Sequence, residues 1–458
     1  MYQSIKHIYF VGIGGVGMSG IAEVLLNLGY KVSGSDLKLT ETTERLQQLD
    51  ATIYQGHSEE NITDVDVVVI SSAVKSDNPE VMAARSRVIP VIPRAEMLAE
   101  LMRLKYGIAV AGAHGKTTAT SLIGMMLDRG GINPTVVIGG RLNTINTNTI
   151  LGTGDFMVVE ADESDGSFLK LSPTIAVITN IDPEHLEYYQ NINEIKRTFL
   201  QFANKVPFYG LNILCLDNEH VQDLIPQLEK RYMTYGLTPQ ADLQAREVTV
   251  SKLSMIFKVF YQNEELGTVE LKMPGLHNVY NALAAIAIAV ELNLDFTVVQ
   301  DALKTFEGVQ RRFQVKGECN NIILVDDYGH HPTEIRATLS AAKEIWKRRL
   351  VVVFQPHRYT RTRDLFKDFL TAFNQADLLL LTDIYAAGED PLPGINAESL
   401  FLGIKEHGHK NIHYHPQKEE IVDHLLTLLE PEDVVITLGA GDIWQVGEQL
   451  LQKVKDIK

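Results

Sequence analysis

Length, charge and cysteine content exclude several classes of protein. The chain has 458 residues and a formal net charge of −16, and this length predicts about three domains, each large enough for its own core. High affinity for nucleic acid depends largely on clustered Lys and Arg, so the acidic balance argues against a nucleic-acid partner. The two cysteines, Cys215 and Cys319, exclude a disulfide framework and fit a reducing compartment.

The chain has no sequence feature of a membrane or secreted protein. No apolar run of about 18 residues or more occurs, and the N-terminus lacks the charged and apolar succession of a secretory leader. We therefore expect a cytoplasmic protein without membrane insertion.

Apolar runs typical of strands alternate with segments of helical periodicity, which predicts an α/β protein with mainly parallel sheets. In the first third, strands are predicted at 8–11, 31–33 and 65–70, and a helix at 95–104. In the middle third, strands are predicted at 156–160, 174–179 and 212–216, then a hairpin over 247–260 and 267–273, and a helix at 282–292. In the last third, strands are predicted at 322–325, 350–354, 378–382 and 434–438. Boundaries near 106 and 315 divide the chain into domains 1–106, 107–315 and 316–458.

A glycine turn between a strand and a helix is the most informative segment. The apolar run 108–111 leads into Gly112, and the turn ends Gly115-Lys116-Thr117. In such a loop, backbone N–H groups surround phosphate oxygens, the lysine neutralises phosphate charge and the threonine hydroxyl reaches Mg²⁺. The usual first glycine of the motif would fall at Val110, so an ordinary strand-to-helix turn stays open as the alternative.

A second glycine-rich segment follows the first predicted strand. Gly12, Gly14 and Gly17 satisfy the spacing GxGxxG, and the next strand leads to Asp36, near the position of the ribose-binding acid in dinucleotide-binding folds. This pattern alone leaves open a dinucleotide, another phosphorylated ligand and simple close packing. Two glycine loops in one chain predict two separate phosphorylated ligands.

Acidic and histidine side chains follow the next strands along the chain. Glu160 ends one predicted strand, and His185 comes after another. If both strands flank the phosphate-loop strand in one parallel sheet, these side chains lie at the same edge as the Gly-Lys-Thr turn. Mg²⁺ prefers oxygen ligands, so the histidine indicates a second metal or a substrate-bridging position. A packed histidine and a solvated strand-end acid are the alternatives.

Polar side chains later in the chain offer further candidates. Asn278 and Asn281 share one helix face, where amides can read a base edge, although Asn278 can equally be an N-cap. The segments 326–334 and 355–363 concentrate ionisable groups after strands. The arginines of the second segment match anionic substrates bidentately, with a solvated helix start as the alternative. The paired histidines at 330–331 lack a third well-spaced ligand, which disfavours zinc.

Eight segments together resemble the Mur ligases of bacterial peptidoglycan synthesis, over nearly the full length of the chain. They are GIGGVGMSG at 12–20, GAHGKTT at 112–118, EADESDGSF at 160–168, NIDPEH at 180–185, HNVYN at 277–281, RRF at 311–313, DDYGHHPTE at 326–334 and QPHRYTRT at 355–362. Their number and order are more specific than any one motif, and the shortened Gly-x-x-Gly-Lys-Thr loop is the form that this family uses.

The resemblance implies an architecture and an activity. The architecture is a Rossmann-like first domain, a central ATP-binding domain like the P-loop ATPases with a mainly parallel sheet, and a Rossmann-like last domain that closes over ATP. The activity is the ATP- and Mg²⁺-dependent ligation of L-alanine to the lactyl carboxylate of UDP-N-acetylmuramate through an acyl phosphate, by a monomer or homodimer. The alternatives are a ligase that joins a murein tripeptide to the same sugar nucleotide, an NAD-dependent oxidoreductase and a non-catalytic nucleotide-binding module.

The resemblance also implies roles for individual residues. The UDP-sugar site comprises Gly12, Gly14, Gly15, Gly17, Met18, Ser19 and Asp36. The ATP site comprises Gly112, Ala113, His114, Gly115, Lys116, Thr117, Thr118, Asn278, Asn281, Arg312 and Asp327. The metal ligands are Thr117, Glu160 and His185. The amino-acid site comprises Tyr328, His330, His357, Arg358 and Arg361. The catalytic set is Lys116, Glu160, His185, Arg312 and Asp327.

Overall fold

Three β-sheets flanked by helices form the frame of the molecule. The computed structural model describes residues 5–71, 73–139 and 149–456, and within them the sheets have five, ten and six strands. The predicted α/β class with mainly parallel pairing is confirmed. No helix among the described residues is both long and apolar enough to cross a membrane.

The first sheet is parallel throughout and carries the first glycine segment. Its elements are His7–Val11 (β1), Val16–Asn27 (α1), Lys31–Asp36 (β2), Glu41–Gln48 (α2), Thr52–Gln55 (β3), Val67–Ile70 (β4), Pro79–Ser86 (α3), Val91–Pro93 (β5) and Arg94–Met102 (α4). The strand order is β3-β2-β1-β4-β5. Because β2 and β4 lie on opposite sides of β1, the segment after β1 is at the topological switch point, where such sheets bind ligands.

A buried carboxylate joins the elements of the first sheet. Glu80 is 0% exposed. It accepts hydrogen bonds from the Tyr9 hydroxyl at 2.7 Å, the Asn61 amide at 2.8 Å and the Ser35 hydroxyl at 2.6 Å. A ring nitrogen of His57 lies 3.0 Å from its second oxygen. One side chain on α3 therefore holds β1, β2 and the loop after β3 together.

The central sheet carries the phosphate loop. Its elements are Tyr106–Ala111 (β6), Lys116–Arg129 (α5), Thr135–Val137 (β7), Thr149–Ile150 (β8), Phe156–Glu160 (β9), Ile175–Ile178 (β10), Ile192–Ala203 (α6), Leu211–Cys215 (β11), Glu219–Gln222 (α7), Tyr232–Gly236 (β12), Leu243–Ser251 (β13), Ser254–Tyr261 (β14), Glu264–Leu271 (β15), Leu276–Glu291 (α8) and Phe296–Thr305 (α9). β6 pairs in parallel with β10 on one side and β9 on the other. The three loops that carry the central motifs therefore emerge at one edge.

The predicted hairpin of the middle third is incomplete, and the N-cap alternative for Asn278 is wrong. Antiparallel pairing is confirmed, but the region is a three-stranded meander, β13-β14-β15. The predicted strand 247–260 contains the turn between β13 and β14, where Lys252 has a φ of +55° although it is not glycine. Asn278 is not an N-cap, because α8 begins at Leu276 and its N-cap is Gly275. Asn278 is therefore buried inside the first turn of the helix.

The third sheet is built from the last part of the chain. Its elements are Gln314–Cys319 (β16), Ile322–Asp327 (β17), Pro332–Trp346 (α10), Leu350–Phe354 (β18), Tyr359–Asp364 (α11), Phe366–Phe369 (α12), Leu378–Leu381 (β19), Ala397–Glu406 (α13), Ile412–Tyr414 (β20), Ile421–Leu428 (α14), Val434–Leu438 (β21) and Trp444–Asp456 (α15). The order is β16-β17-β21-β18-β19-β20, with β16 antiparallel to β17. The ends of β17 and β18 carry the two segments rich in ionisable groups.

Replacing Glu80 by Ala is expected to lower the free energy of unfolding by about 3 kcal/mol, because it leaves several buried donors without an acceptor. The midpoint of urea denaturation, followed by circular dichroism, measures the loss. Glu59→Ala is the matched control, since the Glu59 side chain is exposed. Equal midpoints for the two variants would contradict the role of the buried carboxylate.

Candidate active site

The phosphate loop has a backbone shape that requires glycine at both ends. Gly112 has a φ of +136° and Gly115 a φ of +82°, values that side chains disfavour. A Cβ on Gly115 would also lie 2.3 Å from the Asn281 side-chain oxygen. The loop is therefore seated tightly against α8, with the start of α5 at its end.

Lys116 is a cation inside this loop, and its side chain is only 15% exposed. Its ammonium group donates to the Gly112 carbonyl at 2.6 Å, to the Ala113 carbonyl at 3.3 Å and to the Glu163 carboxylate at 2.7 Å. Burial alone would lower the pKa of Lys116, but the surrounding carboxylates, Glu163 first among them, raise it above its ordinary value. The side chain is therefore charged, which phosphate binding requires.

Thr117 and Glu160 meet beside the loop. The Thr117 hydroxyl lies 3.0 and 3.1 Å from the two Glu160 carboxylate oxygens, and the Gly139 N–H donates to the same carboxylate at 2.7 Å. A hydroxyl and a carboxylate next to a phosphate loop are the oxygen ligands that Mg²⁺ prefers. These two residues therefore fit the predicted metal.

His185 lies in a different group of side chains. Its ring nitrogen and the carboxylates of Glu163 and Glu184 lie within 4.8 Å of one another. The second oxygen of Glu163 is buried and has no hydrogen-bond partner within residues 5–71, 73–139 and 149–456. His185 also has a φ of +56°, which is unusual for a side-chain-bearing residue and recurs at functional sites. This group could hold a cation through mixed oxygen and nitrogen ligands.

A cavity of about 270 Å³ lies between the phosphate loop, α8 and the third sheet. Among the predicted ATP-site residues, the following line it: His114, Gly115, Thr117, Thr118, Asn278, Asn281, Arg312 and Asp327. The two asparagines are fixed by hydrogen bonds, since the Asn278 amide donates to the Pro274 carbonyl at 2.7 Å and the Asn281 amide donates to Asn278 at 3.2 Å. Tertiary structure thus brings together residues more than 200 positions apart, from 114 to 327.

A second cavity, of about 250 Å³, joins the first glycine segment to the phosphate loop. It is lined by Gly17, Arg94, Lys116, Gly139, Glu160 and Asp162, among others. Arg94 lies close against Gly17, where a Cβ would be 2.0 Å from its guanidinium, and it donates to Asp162 at 3.4 Å. This cavity is therefore a cleft with Arg94 on one side and Lys116 on the other.

The remaining residues of the first glycine segment shape the loop. Gly15 is the N-cap of α1, and the Gly14 N–H donates to the Asp36 carboxylate at 2.9 Å. Gly12 has a φ of +79°. Met18 and Ser19 are 2% and 1% exposed, and neither lines the second cavity. Their predicted contact with a substrate stays a prediction.

The five residues predicted for the amino-acid site form one cluster around Glu184. The Arg361 guanidinium donates to Glu184 at 3.0 Å and lies 3.1 Å from a His357 ring nitrogen. A His330 ring nitrogen lies 3.8 Å from Glu184, and the His330 ring contacts those of Tyr328 and His357. The remaining member, Arg358, pairs with Glu187 at 3.6 Å and is 38% exposed.

A charged network connects the phosphate loop to α10. The two His114 ring nitrogens lie 2.9 Å from Asp182 and 3.3 Å from Glu334, and Arg312 pairs with Glu334 at 3.6 Å. Burial opposes protonation of His114, but its hydrogen bonds to Asp182 and Glu334 raise the pKa to about 10. The Thr333 hydroxyl also donates to Asp182 at 2.8 Å. The third sheet is therefore docked onto the phosphate loop by ionic contacts.

Asp327 and His357 have shifted pKa values, and both shifts favour the neutral form of the side chain. Burial raises the pKa of Asp327 to about 6, although Arg312 and the N–H groups of Phe313 and Gly329 favour its charged form. Burial and the neighbouring cations lower the pKa of His357 to about 3. Shifts of this kind concentrate in functional sites.

Sequence reasoning missed several residues that the structure places at the site. Glu163, Glu184 and Glu334 lie within motifs that were recognised, but no role was assigned to them. Arg94 directly follows the short strand β5 at the edge of the first sheet. A cation at the end of a strand is the sequence signal that could have identified it as a ligand-binding residue. Asp182 belongs to the motif at 180–185, and only its contacts with His114 reveal its importance.

Three family profiles match consecutive parts of the chain. The profile described as Mur ligase family, catalytic domain, matches residues 7–106. The profile described as Mur ligase middle domain matches residues 110–289. The profile described as Mur ligase, glutamate ligase domain, matches residues 311–441. The three matches follow one another in the order of the three sheets.

Relatives and solved structures match over nearly the full length. The chain is 63% identical over 455 residues to the UDP-N-acetylmuramate–L-alanine ligase of Geotalea uraniireducens, with 99% of each protein covered. It is 58% identical over 460 residues to the protein of the same name from Geobacter sulfurreducens, with 100% of each covered. A crystal structure of UDP-N-acetylmuramate-alanine ligase MurC from Thermotoga maritima has a TM-score of 0.82 at 31% identity, covering 99% of this chain and 100% of that chain. A murein peptide ligase from Psychrobacter arcticus has a TM-score of 0.71 at 24% identity, with 99% of each chain covered, a likeness that shows the shared fold.

The contacts of His114 predict how its replacement depends on pH. Its pKa is about 10 in the folded protein against 6.5 ordinarily, so its stabilisation is complete below pH 6.5 and is lost as the pH rises toward 10. The pKa of Asp182 is about 2 in the folded protein against 3.8 ordinarily, so its contribution to stability is lost only as the pH falls through this range. The difference in melting temperature between the unaltered protein and His114→Gln is expected to be largest between about pH 4 and 6.5 and to shrink toward pH 10.

The control for this prediction is His407→Gln, because His407 is exposed. Its melting temperature is expected to follow that of the unaltered protein at every pH. A difference for His114→Gln that does not change with pH would show that His114 is not protonated in the folded state.

Proposed function

The chain belongs to the Mur ligase family, and from this premise we propose that it joins L-alanine to the lactyl carboxylate of UDP-N-acetylmuramate with cleavage of ATP. The full-length relatives that carry this activity in their names support the choice of substrates. The observation that carries the proposal is the placement of the phosphate loop between two cavities. Thr117 lines one and Lys116 lines the other, so a bound nucleotide and a second phosphorylated substrate can meet at this loop.

The first cavity is the proposed ATP site. The phosphate loop would hold the phosphates, while Asn278 and Asn281 lie on α8 where amides can contact the adenine edge. Arg312 and Asp327 reach the same cavity from the start of the third sheet. The proposed site is therefore completed only when the last part of the chain is docked against the central sheet.

The second cavity is the proposed site for the sugar nucleotide. The first glycine segment lies at the switch point of its sheet, and Arg94 supplies a cation beside Gly17 for an anionic group of the substrate. Lys116 and Glu160 line the opposite end of the same cavity. A lactyl carboxylate directed toward this end would face the terminal phosphate of ATP.

Activation of the carboxylate is the first proposed step, because a carboxylate is a poor electrophile. One of its oxygens attacks the γ-phosphorus of ATP, ADP leaves, and an acyl phosphate forms. The amine of L-alanine then attacks the carbonyl carbon, and the tetrahedral intermediate loses phosphate and a proton to give the amide. Both steps develop negative charge on oxygen, which the charged Lys116 side chain can stabilise.

Mg²⁺ is the metal that the donor atoms at the loop fit. Thr117 and Glu160 would hold it, and the group of Glu163, Glu184 and His185 would hold a second cation. A bound Mg²⁺ supplies charge neutralisation for the transferring phosphoryl group. Assignment of the ligand set Thr117, Glu160 and His185 remains a proposal, since His185 lies with Glu163 and Glu184.

The cluster around Glu184 is the proposed site for L-alanine. Arg361 is closely paired with Glu184 at 3.0 Å, whereas Arg358 pairs with Glu187 at the longer distance of 3.6 Å and is 38% exposed. We therefore assign the substrate carboxylate to Arg358. Docking of this cluster next to the central sheet would exclude water from the acyl phosphate.

We further propose the division into domains 1–106, 107–315 and 316–458. The strands place both junctions slightly earlier, since β6 of the central sheet begins at Tyr106 and β16 of the third sheet at Gln314. Monomer or homodimer and a cytoplasmic location remain predictions.

Phosphate release is the test of the proposed reaction. The protein with ATP, Mg²⁺ and UDP-N-acetylmuramate is expected to release phosphate when L-alanine is added, and the product mass should rise by that of one alanyl residue. Release only with the tripeptide L-Ala-γ-D-Glu-meso-diaminopimelate would instead identify a recycling ligase. If phosphate is released neither with L-alanine nor with the tripeptide, the proposal is refuted.

Lys116→Ala is expected to lower the ligation rate by at least about 100-fold, because the variant lacks the cation that stabilises charge on the transferring phosphoryl group. The initial rate of phosphate release measures the effect, and circular dichroism checks that the fold is kept. Lys196→Ala is the control, since Lys196 forms a surface ion pair with Asp223, and its rate should stay within about twofold. Ligation at an unchanged rate in Lys116→Ala would refute the assigned role of the loop.

A further inference from the structure

Three histidines gather at the outer edge of the third sheet, away from both cavities. His413 lies on the edge strand β20, His415 follows this strand, and His424 lies on α14. In the strand register, His413 is opposite Leu380, and Leu380 packs in one hydrophobic cluster with Ile421 of α14. His413 therefore faces α14, and His415, two positions further, has the same orientation.

Two of the ring separations match those of imidazoles around one cation. The His424 ring centroid lies 5.1 Å from that of His413 and 4.5 Å from that of His415. Zinc–nitrogen distances of about 2.0–2.1 Å in a tetrahedral site place the centroids of two bound imidazoles about 5 Å apart. The helix histidine thus lies at about this separation from each of the two strand histidines.

The hydrogen bonding of the helix histidine also favours a metal. The Nε2 atom of His424 is buried and has no hydrogen-bond partner among the described residues. An atom of this kind is costly unless another group satisfies it, and a bound cation would do so.

We propose that His413, His415 and His424 form a binding site for a divalent transition-metal cation of the zinc class. Three nitrogen donors favour zinc, nickel or copper over magnesium. The fourth position would be taken by water or by Glu420, whose carboxylate interacts electrostatically with His415. The cation would connect the edge strand to α14.

Binding requires a modest rearrangement of the rings. Among the described residues, two groups of three side chains have ligand atoms that all lie within 4.8 Å of one another. Both groups lie beside the phosphate loop. The histidine triad is not one of them, so the rings of His413 and His415 must turn toward His424.

Zinc titration of the metal-free, full-length protein tests the proposal. The concentration of free zinc is followed by competition with a chromophoric chelator. The unaltered protein is expected to bind one zinc ion more than His424→Ala and His413→Ala, or to bind it at least about tenfold more tightly. His407→Ala is the control, since His407 is exposed and lies on no such cluster, and it should bind zinc like the unaltered protein.

Cobalt provides a second measurement that reports geometry. Co²⁺ added in place of Zn²⁺ should give the visible absorption of a tetrahedral site, and this band should be absent in the triad variants. Should His424→Ala fail to fold, as judged by circular dichroism, His413→Ala and His424→Asn serve instead. Because the triad lies outside the candidate active site, the folded variants should keep the ligation rate of the unaltered protein, whatever that rate is.

Two results would overturn the proposal. One is equal zinc stoichiometry and affinity in the unaltered protein and all triad variants. The other is zinc binding that is lost in His331→Ala but kept in the triad variants, which would place the metal at the cluster of His114, Asp182 and His331.

Discussion

The order of three parallel strands in the central sheet is the constraint on which the candidate active site depends. β6 lies between β9 and β10, and the carboxyl ends of parallel strands share one edge. The loops that follow therefore place Lys116, Glu160 and the segment around His185 next to one another. An antiparallel neighbour on either side would have sent one of these groups to the opposite end of the sheet, and no single loop could have replaced it.

Buried charges then determine how the rest of the molecule packs on this edge. A buried cation needs a partner, because removal from water is costly when the charge is left alone. Lys116 meets Glu163, His114 meets Asp182 and Glu334, and Arg361 meets Glu184. The last two sets join the central sheet to the third sheet. His114, Asp182 and Glu334, which dock the last part of the chain, thus also line the first cavity.

Local backbone strain marks the same region. His185, Arg311, Phe313 and Arg358 all have positive φ although none is glycine. Such conformations persist only where surrounding contacts hold them, and here those contacts include the ionic network around Glu184. These positions could not be found from sequence pattern, since Arg, Phe and His have no intrinsic preference for this conformation.

The sequence by itself determined the α/β class, the two glycine loops, the family and most of the strands, because these depend on local periodicity and on motifs that act through the backbone. Strands such as β9, β18 and β21 have the predicted bounds. A short continuous apolar run that ends at polar residues is compatible with few structures other than a buried strand. Only the tertiary structure decided that His185 lies with Glu163 and Glu184, that Arg94 reaches the glycine segment, and that three histidines from a strand and a helix meet at the sheet edge. These are contacts between side chains distant along the chain, and they depend on strand order and packing, which the pattern along a single sequence does not contain.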